Sequence, residues 1–238
     1  MLKKSLFFLF ITLVSFFTAQ AQRKTAELGI FIGRSYYLGE LNPKTHVGNG
    51  VGGFTYGGIF RYNLNKRYTL KATLVRTKIG AADEKVDFEF NQARNASFET
   101  IITEFASTIE FNFLPYKTGD KDHFFTPYLF VGFSIYKAAP NNVTIGGAQF
   151  NGSEAESKTG LALPFGPGMK LSLGNKWGLA MEWGFRKTSY DAIDGIPNRT
   201  AEVFELGKEY DNDWFVVTGF TLTFQITDEG ACPVYYGM

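Results

Sequence analysis

Seven charged residues stand at alternate positions within otherwise apolar or small stretches: Arg61, Lys71, Glu104, Glu110, Lys170, Glu182 and Arg186. Groups so placed could perform acid–base or nucleophilic catalysis, line a path for ions, or neutralise one another in a packed interior. Hydrolysis on the nucleophile–histidine–acid plan needs a histidine among them. The two histidines are His46, in a stretch that reads as a loop, and His123, in one that reads as a turn. Neither reaches the charged face, so no enzyme activity is expected. The same two distant histidines and a single cysteine, Cys232, argue against a metal site, and no cofactor is expected. Gly48-Asn49-Gly50-Val51-Gly52-Gly53 has the glycine density of a phosphate loop, but a strand pattern follows it where that loop requires a helix.

The spacing of the charges is that of strands. In Thr159 to Tyr190, large apolar residues stand at Leu161, Leu163, Phe165, Met169, Leu171 and Leu173, with Ala162, Gly166, Gly168, Lys170 and Ser172 between them. After Gly174-Asn175-Lys176 the period of two resumes, with Leu179, Met181, Trp183 and Phe185 on one face and Ala180, Glu182, Gly184 and Arg186 on the other. This is a hairpin, with Lys170 expected to face Glu182, and Gly166 to face Arg186, about 5 Å apart across the strands. A face that alternates glycine with isolated charge has little room. It belongs inside a narrow barrel, and the bulky face belongs outside, in hydrocarbon.

The chain opens with Lys3 and Lys4, an apolar run from Leu6 to Phe17 broken only by hydroxyl residues, and Ala19-Gln20-Ala21. These features predict a signal peptide over 1–21 with cleavage before Gln22. The apolar run is shorter than the roughly 20 residues of a spanning helix, and no later run reaches that length, so spanning a membrane would require a closed barrel. Without the two lysines the charge is −1, with 22 basic and 23 acidic residues, and nothing points to nucleic acid. Gln22 takes the place where a lipid-anchored protein needs cysteine. Cys232 cannot form an internal disulfide and is left as a free thiol or an intermolecular bond to a partner.

Six further strands follow from the same alternation: about Ala26–Tyr37, Gly53–Asn63, Tyr68–Thr77, Phe98–Leu114, Phe125–Lys137 and Asp213–Thr227. Their connections run long, short, long, short, long, short, long, the pattern of an outer-membrane barrel with short periplasmic turns and long outside loops. The expected fold is an all-β, eight-stranded antiparallel transmembrane up-and-down β-barrel over 22–226, with four long extracellular loops. A periplasmic tail over 227–238 follows it, so both termini fall in the periplasm. Pro164 and Pro167 each remove a ladder donor from strand six and predict a bulge or a late start there. Aromatic residues make up 17% of the chain. They suggest interfacial belts at Tyr62, Tyr68, Tyr116, Tyr128 and Trp177 at one edge and Tyr36, Tyr37, Tyr136, Tyr190 and Trp214 at the other. Eight strands leave an interior that side chains can fill, so the seven charges are expected to form an ion network in place of a pore.

Several segments together resemble the PorG family of the Bacteroidota type IX secretion system. They are Glu27-Leu28-Gly29-Ile30-Phe31-Ile32-Gly33 with Tyr36 to Pro43, Phe60 to Asn65, Glu110 to Tyr116, Thr126 to Gly132, Pro164 to Lys170 and Glu182 to Thr188. The resemblance implies an outer-membrane component of that secretion system that contacts a periplasmic ring of a lipoprotein and its partner (PorK and PorN types), with a link to gliding motility where present. It carries no catalytic residues. The tail segment Cys232, Pro233, Val234, Tyr235 and Tyr236 is the expected handle for that partner. The alternative is a generic small surface barrel with a ligand-binding or envelope-structural role.

Overall fold

The computed structural model describes residues 24–38, 52–82, 97–145, 148–149, 157–189 and 214–227. The expected signal peptide, most of the long connections and the tail residues Cys232, Pro233, Val234, Tyr235 and Tyr236 lie outside the described residues, as do His46 and Tyr190.

Alternating apolar and small or polar residues produce long strands: β1 (Thr25–Leu38), β2 (Gly53–Asn63), β3 (Tyr68–Ala82), β4 (Ser97–Asn112), β5 (Phe125–Ile145), β6 (Ala148–Gln149), β7 (Lys158–Gly174), β8 (Trp177–Thr188) and β9 (Trp214–Gln225). Eight of them pair antiparallel with their neighbours in sequence order, and β1 pairs with β9 to close the ring. Among the described residues, the two of β6 pair with the far end of β5 alone. The result is a closed eight-stranded antiparallel up-and-down barrel, a transmembrane plan in which closure leaves no edge unpaired.

Burial is inverted relative to a water-soluble sandwich. Glu110 and Glu104 are fully buried, whereas Leu74 is 56% exposed and Phe133 78%. Rows of such exposed apolar residues girdle the barrel, far beyond the scattered apolar patches of a protein bathed in water. The outward rows therefore face lipid.

Four features depart from the sequence expectations. Strands β3 and β5 run on to Ala82 and Ile145, through Lys78–Ala82 and Ala138–Ile145, segments expected as loop. Asn and Pro140 there signal a turn, but β4 supplies partners, Ile79 opposite Thr100 and Thr100 opposite Pro140. The last described β7 partner of β5 is Lys158, opposite Ala138, so Pro140 has no ladder partner on that side among the described residues. At Pro164 and Pro167 neither the bulge nor the late start occurs. The strand begins at Lys158, and Val131 opposite Phe165 keeps the register of Ser134 opposite Ala162 on the other side of the gap.

The hairpin register also differs. Lys170 lies opposite Ala180, and Glu182 opposite Gly168, two residues from the expected pairing; Arg186 lies opposite Pro164. The bulge between Ser172 and Gly174 explains this. Gly174 pairs with Trp177 around a tip in which Gly174 and Asn175 both take positive φ. Without an extra residue that tip would set inward side chains opposite outward ones, and the bulge restores the match.

Finally, Tyr37, Tyr116, Tyr128 and Tyr136 are only 1–6% exposed, inside the barrel and not in a belt. Tyr37, Tyr128 and Tyr136 occupy inward strand positions. A Cβ on Gly168 or Gly160 would lie within 2.6 Å of the Tyr128 or Tyr136 ring, so each ring fills the space of a glycine across the β5–β7 pair. Tyr68 and Trp177 do face outward at one end, and Tyr36 and Trp214 are half-buried at the other. Trp183, which the belts omitted, donates to the Tyr36 hydroxyl at 2.9 Å. Val216, at an outward position of β9, is nonetheless fully buried between Tyr36 and Phe185 on the adjacent strands.

Candidate functional site

The inward positions of β2, β3, β4, β7 and β8 bring the seven expected charges into one interior. Glu110 is the hub. Its carboxylate lies 2.6 Å from Lys170 Nζ, 3.1 Å from Lys71 Nζ and 3.4 Å from Arg61 Nε. Lys71 also reaches Glu182 Oε2 at 2.7 Å. Arg186 Nε pairs with Glu104 Oε2 at 3.3 Å and donates from Nη1 to the Gly184 carbonyl at 2.7 Å.

Aromatic residues line the same space. Lys71 Nζ sits 4.3 Å from the Phe130 ring centre and Lys170 Nζ 4.8 Å from that of Tyr128, whose hydroxyl donates to Glu182 at 3.2 Å. Ring faces of this kind favour a cation that has left water.

An eighth charge, Glu27 on β1, was missed by sequence reasoning. It is buried opposite Arg61 and accepts from Asn63 Nδ2 at 2.8 Å, Thr118 Oγ1 at 2.7 Å and Thr223 Oγ1 at 2.9 Å. Two signals mark it in the sequence. Glu27 shares the inward parity of Gly29, Phe31 and Gly33, and the seven expected charges sum to +1, an imbalance a low-dielectric interior does not tolerate. With Glu27 the four cations meet four carboxylates. Asn112, which accepts from Lys170 Nζ at 3.0 Å, completes the polar set.

The bore is filled above and below this layer. Toward the β5–β6 end, an apolar cluster includes Phe31, Tyr37, Ile79, Phe98, Ile102, Tyr136, Val143 and Phe215. At the opposite end, the segment between β4 and β5 folds across the mouth. Tyr116 and Thr118 are 6% and 4% exposed, and the Thr118 hydroxyl reaches in to Glu27. The Tyr116 and Gly119 amides donate to the Lys66 carbonyl at 3.0 Å and Ser172 Oγ at 2.8 Å, tying the segment to both neighbouring turns. Gly119 is required there. Its φ is +83°, and a Cβ would fall against the Asn175 carbonyl. His123 is in this segment, hydrogen-bonded to Asp120 at 3.0 Å and remote from the interior charges. Chemically, the interior is a neutralised, packed ion cluster between two closures.

Residues 3–235 match the family model described as a domain of unknown function, DUF6089. The chain belongs to the DUF6089 family. The sequence matches no curated protein. Among solved structures, this DUF6089 chain is similar to three small barrels. They are the N-terminal β-barrel domain of Pseudomonas aeruginosa OprF (13% identity, 86% of this chain and 100% of that one, TM-score 0.42), Neisserial surface protein A (12%, 86% and 97%, 0.45) and the outer membrane protein OprG from Pseudomonas aeruginosa (10%, 85% and 98%, 0.43). The barrel assignment for this DUF6089 member stands on its own strand register and inverted burial, independently of these distant likenesses.

Proposed function

We propose that this protein is a non-enzymatic, small outer-membrane barrel with an envelope-structural role, its short turns and both chain ends in the periplasm. The observation that supports this is the interior. Charges cancel one another beneath an apolar plug and a folded-over turn, while the outward rows are apolar, an arrangement suited to anchoring in lipid and unsuited to turnover or conduction.

The finer reading is a component of the type IX secretion system, and it rests on the resemblance to the PorG family. Within the described residues its segments fall on β1, the ends of β2 and β4 with the turns that follow them, β5, β7 and β8, so they cover barrel wall and turn-side surface. On this reading the turns and the tail with Cys232 meet the periplasmic ring of PorK and PorN types, and Cys232 is the residue through which an intermolecular disulfide would form. Affinity purification from detergent-solubilised outer membrane tests it. Co-purification of ring proteins, together with lost secretion of type IX cargo in a deletion strain, supports the secretion role; normal secretion leaves the generic surface barrel.

A further inference from the structure

The outward surface is not uniformly apolar. On three consecutive strands, Arg76 (β3) lies opposite Thr103 (β4), and Thr103 lies opposite Lys137 (β5); on β7, Thr159 then lies opposite Lys137. All four are exposed. One pleat nearer the turn end, the same four strands carry Leu74, Phe105, Ile135 and Leu161 in one register row, exposed by 56%, 49%, 49% and 62%. A row of two cations and two hydroxyls thus lies directly above a row of four apolar side chains. Lys78, one pleat further out, is paired with Glu99, whereas Arg76 and Lys137 have no carboxylate partner among the described residues.

The height of this row decides what can meet it. From Tyr68, at the turn-end aromatic edge, to Arg76 is eight residues of β3, about 27 Å along the strand and about 20 Å along the axis at a typical barrel tilt. An apolar band is about 25 Å tall. Arg76 therefore stands about 5 Å short of the far edge of that band, within reach of headgroups for a side chain as long as arginine's. Adjacent strands are about 4.8 Å apart, which spaces Arg76 and Lys137 by about 10 Å with the Thr103 hydroxyl between them. A sugar-borne phosphate can sit in that gap while its acyl chains lie on Leu74, Phe105, Ile135 and Leu161.

We infer that the outward face of β3, β4, β5 and β7 is a binding site for a phosphorylated glycolipid of the lipid A class in the loop-side leaflet, with Arg76, Thr103 and Lys137 holding the phosphate. This rests on the outer-membrane orientation proposed above. Free phosphate fits less well, because the apolar row would then have no role.

The test uses the purified full-length mature barrel in neutral detergent, titrated with lipid A and followed by native mass spectrometry. Removing the phosphates from lipid A, or making the double variant R76Q/K137Q, is expected to weaken binding about thirtyfold, the effect of two headgroup-level charges. Arg34→Gln, on β1 and so off the four strands of the site, is expected to retain wild-type affinity. Heat-modifiable gel migration confirms that each variant is folded, and the single variant Thr103→Val offers a milder probe should the double variant fail that check. Wild-type affinity in folded R76Q/K137Q or Thr103→Val, equal binding of dephosphorylated lipid, displacement of lipid A by an equal concentration of inorganic phosphate, or an equal loss in Arg34→Gln each overturns the site. A variant that loses lipid A yet still inserts in the outer membrane leaves the structural role standing. Failure of the wild-type chain to reach that membrane defeats the structural role instead.

Discussion

Glu110 is the only carboxylate among the described residues within ion-pair distance of three cations, Arg61, Lys71 and Lys170. Its negative charge is what lets those cations remain buried, because an uncompensated buried charge is far more costly than a missing pair. Glu110→Gln is expected to destabilise the barrel by about 3–5 kcal/mol, measured by urea unfolding in micelles, and adding Lys170→Met should recover part of the loss. A change below about 1 kcal/mol would show that the pairs are solvated and worth little. Tyr116 supplies a second readout at this scale. Burial, reinforced by the charge of Glu27, pushes its phenol up to about 12. An unfolded tyrosine ionises near 10, so this residue leaves stability unchanged below about pH 10 and lowers it as pH climbs from there to about 12. The difference between wild type and Tyr116→Phe should open across that window by ~3 kcal/mol. Parallel curves would mean that the phenol is in water.

At the level of elements, the β5–β7 pair works by complementary shape. Tyr128 opposite Gly168 and Tyr136 opposite Gly160 let two large rings lie flat in a bore only eight strands wide. Gly168→Val puts a Cβ 2.4 Å from the Tyr128 ring. The ring must move, breaking its hydrogen bond to Glu182 and its contact with Lys170, at an expected cost of about 1–3 kcal/mol. In a Tyr128→Ala background the same valine should be nearly neutral. A double-mutant cycle that shows no coupling would remove the steric account. The hairpin of β7 and β8 carries a related lesson. Its existence is plain from the alternation of Leu161 to Leu173 and Leu179 to Phe185, whereas its register depends on one bulged residue before Gly174 that alternation does not reveal.

For the whole molecule, the apolar plug, the balanced ion layer and the turn carrying Tyr116 and Thr118 stand in series along the bore. The expected outcome in planar bilayers is almost no steady conductance, and stable open-channel currents from the wild-type protein would contradict the packed interior. Thr118→Gly, which removes the tie to Glu27, is the variant to compare. The barrel itself was legible in the chain because a period of two is a local property. Each strand declares its two faces, and the small, charged face can only be the inner one. Strand ends at Leu38, Asn63 and Asn112 were likewise close to expectation, since turn residues mark them. Strand parity by itself also marks Glu27, Tyr37, Tyr128 and Tyr136 as inward, but three things needed the closed ring: which cation meets which carboxylate, the inward fold of the turn carrying Tyr116, and the continuation of β3 and β5 past their apparent ends. Each depends on residues far apart in sequence, brought to one level only when β1 joins β9 and the shear of the sheet is set. Alternation along a strand specifies inside and outside, but depth along the axis is a property of the assembled wall.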